Sequence, residues 1–477
     1  MPKHPNLLYV FADQLRYQAL GYAGDSRART PNIDAFAAQS CNFWNAVSNH
    51  PVCAPYRASL FTGKHTTSTG MVINELRLNP NQRCLGHVLT EADYNTSYIG
   101  KWHLYADEFG HHDEPHNGFV PRGPYRLGFD GEWKAFGFNH NHFHGYYYEE
   151  TSEKKTFPTG VYETDGQTDL AIDFLKRAAQ TPDTPFAMVL SWGPPHEPWS
   201  RDNVPERFLE PFLDMEFPNP PNYKSHDDTP YVDDWSRASA ETRAQLEEWR
   251  RVYYAQTSCV DWNFGRLLQA LEELGLSDDT IVIFTSDHGE MMGAQGRMAK
   301  TIFYEEACRV PFLLRWPTQV PPHANDALLS TVDILPTLCG LMGLAVPATA
   351  EGTDLSAITR GENGPQPDAV LLQGTGAVAI WEDGHEWRAV RDKRYTYARY
   401  RVDHSERLFD HQNDPFQLHN LALDPAYIST LERFRSLLCD KMERINDTDE
   451  ASSFYRNHWT DGERHIIASA RGPFSSV

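Results

Sequence analysis

Four short apolar runs, each closed by polar residues able to do chemistry, constrain this chain more than any other feature. They are Asn6 to Phe11 before Asp13, Thr96 to Ile99 before Lys101, Phe186 to Leu190 before His196, and Ile281 to Phe284 before Asp287. Each has the length of a strand and lacks period-2 alternation, the pattern of strands buried on both faces of a parallel sheet. Helical periodicity fills the intervals, from Leu170 to Ala179 and from about Thr242 to Leu274, where Gly275 stops the second segment just before the Ile281 strand. Alternating strands and helices predict an open α/β fold, a large and mostly parallel sheet flanked by helices. In such sheets the ligand crevice lies beyond the carboxyl ends of the strands, and all four polar clusters fall there.

From about residue 370 the pattern changes to short alternating segments, Trp387 to Arg391 and Arg394 to Ala398, separated by the turn-like Asp392-Lys393. They predict antiparallel strands of a smaller C-terminal α+β domain, 370–477, after a catalytic domain, 1–369. Residues 105–160, rich in His, Gly, Tyr and Phe, and 193–235, rich in Pro and Asp, fit no regular element. Irregular stretches of that length are usually functional.

Forty-three Lys and Arg against 65 Asp and Glu give a formal charge of -22, which excludes the basic surface that nucleic-acid binding needs. An anionic substrate must then meet a local basic pocket, and wrapping a long polyanion such as heparin is disfavoured. The seven cysteines are scattered without a C-x-x-C pair, so neither a disulfide framework nor a zinc knuckle is expected. No run approaches the ~20 apolar residues of a membrane span, and Met1 to Pro5 lead straight into the first strand without a secretory leader. The expectation is a cytoplasmic protein that neither crosses nor docks on a membrane.

The sharpest local signal is Cys53-Ala54-Pro55-Tyr56-Arg57, followed by Ala58-Ser59-Leu60-Phe61-Thr62-Gly63. Pro55 suits the first turn of a helix that Gly63 can end, which puts Cys53 at a helix N-terminus, where backbone N–H groups favour an anion. Arg57, one turn on, can reach back to the same point. A second constellation is metal-like: Asp13-Gln14 and Ser286-Asp287-His288-Gly289 supply two carboxylates, an amide oxygen and an imidazole at strand ends. A third is basic: Lys101 and His103 in Gly100-Lys101-Trp102-His103-Leu104, His196 in Pro194-Pro195-His196-Glu197-Pro198, and Lys300 in Gly296-Arg297-Met298-Ala299-Lys300.

Together these motifs resemble the formylglycine-dependent (type I) sulfatases of the alkaline phosphatase superfamily, whose maturation signature is C-x-P-x-R. Thr30-Pro31-Asn32-Ile33-Asp34, Leu408-Phe409-Asp410, Asn413-Asp414-Pro415 and Asn420-Leu421-Ala422 extend the match over nearly the whole chain. The resemblance is weakest at 105–160 and 200–235. It implies an alkaline phosphatase-like fold, conversion of Cys53 to formylglycine by a maturation enzyme, and one divalent ion held by Asp13, Gln14, residue 53, Asp287 and His288. Calcium is common in the family. Many members, however, carry a second Asp at Gln14 and Asn at His288, and imidazole suits manganese better than calcium. The implied catalytic set is Cys53, Arg57, Lys101, His103, His196 and Lys300. Arg57 and Lys101 would steady the hydrated aldehyde, His196 and Lys300 would bind sulfate and protonate the leaving alcohol, and His103 would act as the base that expels sulfate.

The reaction implied is hydrolysis of a small-molecule or oligosaccharide sulfate ester. Phosphonate monoester and phosphodiester hydrolases of the superfamily share the Asp-Gln and Asp-His pairs, as do choline-sulfatase-like enzymes, and Lys101 with His103 favours sulfatases over the former. A sulfated-glycan-binding pseudoenzyme is the non-catalytic alternative, although Asp13, Cys53, Arg57 and Asp287 are all in place. A carbohydrate ester is expected, because 105–160 carries Trp133, Phe136, Phe138, His140, His142, His144 and Tyr146 to Tyr148, which suit sugar rings and hydroxyls.

Overall fold

The computed structural model describes residues 4–231, 233–462 and 464–475. Eight strands build the main sheet: β1 (Asn6–Ala12), β2 (Cys41–Val47), β3 (Asn95–Lys101), β4 (Glu132–Phe136), β5 (Phe186–Trp192), β6 (Thr280–Ser286), β7 (Phe312–Arg315) and β8 (His323–Ser330). Their order is β8-β2-β7-β6-β1-β5-β3-β4. Only β7 runs antiparallel to its neighbours, and the other pairs are parallel. The four apolar runs read from the sequence become the adjacent central strands β6, β1, β5 and β3.

The absence of alternation has a direct cause. Along β1, Leu7, Tyr9 and Phe11 join one apolar cluster while Leu8, Val10 and Ala12 join another on the opposite face. The first cluster takes its cover from α2 (Cys53–Thr62), α3 (Leu85–Glu91) and α6 (Thr331–Met342). The second takes it from α1 (Pro31–Ala37), α4 (Glu163–Ala178) and α5 (Leu246–Glu273). A strand covered on both sides gains by being apolar at every position. The periodic stretch from Thr242 divides into a short helix, Ala240–Ala244, and α5, and Gly275 after α5 adopts φ 67°.

Residues 105–160 are more regular than expected. They supply the edge strand β4, parallel to β3, and Tyr148 bridges to Ala135 of the same strand. The run is only five residues long and mixed in polarity, as an edge strand can be, which is why it lacks a clear pattern.

Beyond residue 369 lies an antiparallel meander, β9 (Val370–Gly374), β10 (Trp387–Arg391), β11 (Tyr395–Tyr400) and β12 (Glu406–Asp410). One face packs Leu372, Trp387, Ala389 and Phe409 against Met291, Phe303 and Tyr304. The other packs Leu371, Val390, Tyr397 and Leu408 against α7 (Ile428–Arg444). The chain then turns back: Tyr455 and Trp459 of α8 (Ser452–Trp459), with Ile466, join the core of the larger sheet. None of the described helices is long and apolar enough to cross a membrane.

Candidate active site

Register places the chemistry at one edge. Ala12 lies level with Trp192 and with Ser286, and Gly100 lies level with Ser191, so β1, β5, β6 and β3 release their next residues into one crevice. Gly100 is required there, since a Cβ would sit 2.0 Å from the Ser191 carbonyl oxygen and its φ is 105°. Cys53 is the first residue of α2, Pro55 lies in the first turn, and Gly63 closes the helix at φ 65°. The Ala54 N–H is taken by Asn74 Oδ1 at 2.8 Å, which fixes the start of the helix. Asn74 is far from Cys53 in sequence and carries no local signal.

Nine other residues singled out in the sequence meet around Cys53. Its Sγ lies 3.2 Å from Lys300 Nζ, 3.3 Å from His288 Nε2 and 3.6 Å from Asp13 Oδ1. Asp13 Oδ2 receives Lys101 Nζ at 2.6 Å, and Arg57 Nη2 bridges Asp13 Oδ2 at 3.2 Å and Asp287 Oδ2 at 3.3 Å. Arg57 Nη1 donates to the Lys101 carbonyl and to Ser191 Oγ. Arg57 thus braces the two carboxylates and makes no hydrogen bond to residue 53 among the described residues. His196 Nε2 lies 3.2 Å from Lys300 Nζ. His103 is stacked on Phe138 at 5.0 Å, and its buried ring nitrogens find no partner of good geometry, although its ring interacts electrostatically with the Cys53 thiol.

Gln14 is oriented by carboxylates that sequence reasoning did not single out for a role. Its amide nitrogen donates to Glu197 Oε2 at 2.7 Å and Glu290 Oε2 at 2.6 Å, which turns Oε1 toward Lys300 at 2.9 Å. An Asp here could not donate, so these two neighbours account for the amide. Gln14 has φ 67° and His103 φ 57°, a left-handed backbone that non-glycine residues rarely adopt. Such strain, of order 1 to 3 kcal/mol per residue, concentrates where a side chain must be aimed.

The electrostatics follow from burial plus crowding. Burial pushes the Cys53 thiol up, but Lys101, Lys300 and His288 bring it well below the ordinary thiol range. Burial and the Cys53 charge raise the Asp13 carboxyl, and Lys101, His196 and Lys300 outweigh them to hold it ionised. Asp287 is pushed up, by burial and by Asp13 beside it. Burial and then Lys101 lower His103 to about 3, so its imidazole is neutral near pH 7. Burial and Glu197 raise Glu290 to about 7.

The donor set suits a divalent cation. Asp13, residue 53, Asp287 and His288 are fully buried and can each offer a ligand atom, all within 4.8 Å of one another. His288 Nδ1 is tied to the Gly289 carbonyl at 2.9 Å, which leaves Nε2 facing the other donors, the usual arrangement of a ligating imidazole.

The comparisons agree with this geometry. The Sulfatase family profile matches residues 5–344, and that of the N-sulphoglucosamine sulphohydrolase C-terminal region matches 293–444. The chain belongs to the sulfatase family. It is a sulfuric ester hydrolase of the alkaline phosphatase superfamily. An ulvan-active sulfatase of Formosa agariphila is 34% identical over 95% of this chain and 84% of its own length. An endo-4-O-sulfatase of Bacteroides thetaiotaomicron is 30% identical over 88% of this chain and 89% of its own. A solved structure of Bacteroides fragilis yidJ, assigned as a sulfatase, superposes with a TM-score of 0.81 at 30% identity, covering 95% of this chain and 97% of that one.

Proposed function

We propose that this sulfatase hydrolyses sulfate esters of carbohydrates, using Cys53 oxidised to formylglycine and one divalent ion. The observation that carries the reading is the position of residue 53, at a helix start and 3.2 to 3.6 Å from Lys300, His288 and Asp13. The carbohydrate class is supported by the ulvan-active and endo-4-O-sulfatase relatives, which align over most of the chain. In the present structure residue 53 is an unmodified cysteine, and its Sγ stands in for the attacking oxygen.

Asp13, Gln14, Asp287 and His288 would hold the ion, which would make the attacking hydroxyl acidic enough to ionise near neutral pH. Hydrated formylglycine would supply two hydroxyls, one whose oxygen attacks sulfur and a second whose deprotonation expels sulfate together with that first oxygen as the aldehyde re-forms. Arg57 holds the two carboxylates in register, and Lys101 neutralises Asp13. Lys300 lies between residue 53 and His196, where its ammonium can bind sulfate oxygens while His196 hands a proton to the departing alcohol. His103, neutral near pH 7, takes the proton of the second hydroxyl as the sulfate ester breaks. Maturation by a formylglycine-generating enzyme is part of this reading.

The test is turnover against a panel of sulfated sugars, choline sulfate, an aryl sulfate and an aryl phosphonate, with and without chelator. A sulfated sugar should be the best substrate by kcat/KM, and chelation should abolish its turnover. A phosphonate preferred over every sulfate would overturn the reading.

A further inference from the structure

The aromatic residues expected to meet sugar rings are mostly occupied elsewhere. Trp133, Phe136, Tyr146 and Tyr148 are each at most 5% exposed. Trp133 stacks on Tyr98 at 5.3 Å and lies under the Arg126 guanidinium, packing the 105–160 segment onto the sheet. A second aromatic group begins just after His196 in the chain with Trp199, largely buried like Trp235 and lying beside the partly exposed Trp249. Trp199, Trp235 and Trp249 converge there, with centroid separations of 6.3 Å between Trp199 and Trp249 and 6.4 Å between Trp235 and Trp249. With Met298, Glu197 and Ala299 they line an open pocket of about 400 Å³, within the size range of small-molecule sites.

Two of the three indoles are pinned. Trp199 Nε1 donates to the Pro195 carbonyl at 2.8 Å and Trp235 Nε1 to the Lys224 carbonyl at 3.2 Å. Asp233 caps the short helix Asp234–Arg237 through the Trp235 N–H and also accepts the Met298 N–H, which ties the Trp235 segment to the loop carrying Lys300. Trp249, on the first turns of α5, is partly exposed and its indole N–H makes no hydrogen bond to any described residue. A partly exposed ring with a spare donor presents a C–H-binding face together with a polar handle.

Position gives the pocket its meaning. Glu197 and Ala299, on its wall, are the chain neighbours of His196 and Lys300, whose side-chain nitrogens meet at 3.2 Å. These are the groups assigned to the sulfate and its leaving oxygen. The sulfated sugar is bonded to that oxygen, and the pocket wall reaches the same centre through Glu197, whose carboxylate holds Gln14 beside Lys300, so the pocket is one sugar unit further out.

The geometry points to a leaving-group subsite here: the Trp199–Trp235–Trp249 pocket binds the sugar unit adjoining the sulfated one, with Trp249 stacking on its C–H face. The inference rests on the carbohydrate-sulfate reading above and deepens it, making the enzyme prefer an oligosaccharide over a sulfated monosaccharide.

Monosaccharide and tetrasaccharide fractions prepared from ulvan and from chondroitin sulfate are the probes. In Trp249→Ala the ratio of kcat/KM for tetrasaccharide to that for monosaccharide should fall about tenfold, mainly through KM, as truncation of an aromatic anchor does. Trp249→Phe, which keeps a stacking face, should recover most of the loss. Independently of turnover, tetrasaccharide added to the Cys53→Ala protein should quench tryptophan fluorescence, and adding Trp249→Ala should remove most of that quench. A ratio within twofold of wild type in Trp249→Ala, or a quench that survives the substitution, overturns the subsite. A wild-type enzyme that turns over no sulfated sugar contradicts the functional reading instead, and the fluorescence arm then decides the subsite by itself.

Discussion

Phe138 should matter to catalysis although it has no chemistry of its own. Its half-buried ring lies 4.2 Å from Lys101 Nζ, stacks on His103 at 5.0 Å and meets His196 edge-on at 5.7 Å. Removing it takes a wall away from three groups assigned to the reaction. A cation over an aromatic face is worth ~0.5 to 2 kcal/mol, and an aromatic pair ~0.5 to 1.5 kcal/mol. These contacts overlap, so they total about 2 to 3 kcal/mol rather than their sum. If most of that is orientation needed in the transition state, at ~1.36 kcal/mol per decade kcat falls roughly 30- to 150-fold. Phe138→Ala should show that loss in kcat, and Phe138→Tyr, which keeps the ring, should stay within about threefold. The assay is steady-state turnover at saturating metal with formylglycine occupancy matched between variants. Equal kcat in Phe138→Ala and wild type would refute the argument that the ring positions these residues.

Three further outcomes follow from the site and the fold. Asp13→Ala and Asp287→Ala should each lose bound metal and turnover together, read by elemental analysis of the purified protein, whereas retention of both in either variant would remove that residue from the ligand set. Cys53→Ser offers a single hydroxyl, so after incubation with substrate residue 53 should carry an extra ~80 Da of sulfuryl group and release at most about one equivalent of alcohol; sustained turnover with free sulfate would refute the elimination step. Asp333 is buried, caps α6 by accepting the Ser330 N–H, also accepts the Thr353 N–H, and is raised by burial to about 6. Its folded value exceeds the unfolded ~3.9, so its relative stability is fully present below ~pH 4 and lost as pH rises through about 6; the stability gap between wild type and Asp333→Asn should move in favour of wild type by up to ~2 to 3 kcal/mol from pH 8 to pH 4 in chemical denaturation. A pH-independent gap would contradict it.

The central strands were legible because burial on both faces removes any choice at each position, and the residues that end those strands were legible because register forces them into one crevice. Pro55 and Gly63 marked α2 for the same kind of reason, each fitting one end of a helix. The marginal strands were not: β2 and β8 interleave Asn, Asp and His with apolar residues and carry no clean period. Asn74, Glu197 and Glu290 escaped a role because each acts by orienting another group, Ala54 or Gln14, brought near only by the fold. The aromatic content of 105–160 was visible, but sequence does not say which face of a ring is covered. The tryptophan pocket draws on residues 199, 235 and 249, which only tertiary packing unites.

The central claim is that residue 53, as formylglycine, is the nucleophile. Preparations made with graded amounts of maturation enzyme allow peptide mass analysis of the fraction of residue 53 carrying the ~18 Da loss that converts cysteine to the aldehyde. Turnover of the best sulfated sugar should rise in proportion to that fraction and extrapolate to zero where only thiol remains. Full activity in a preparation whose residue 53 is entirely thiol would contradict the account.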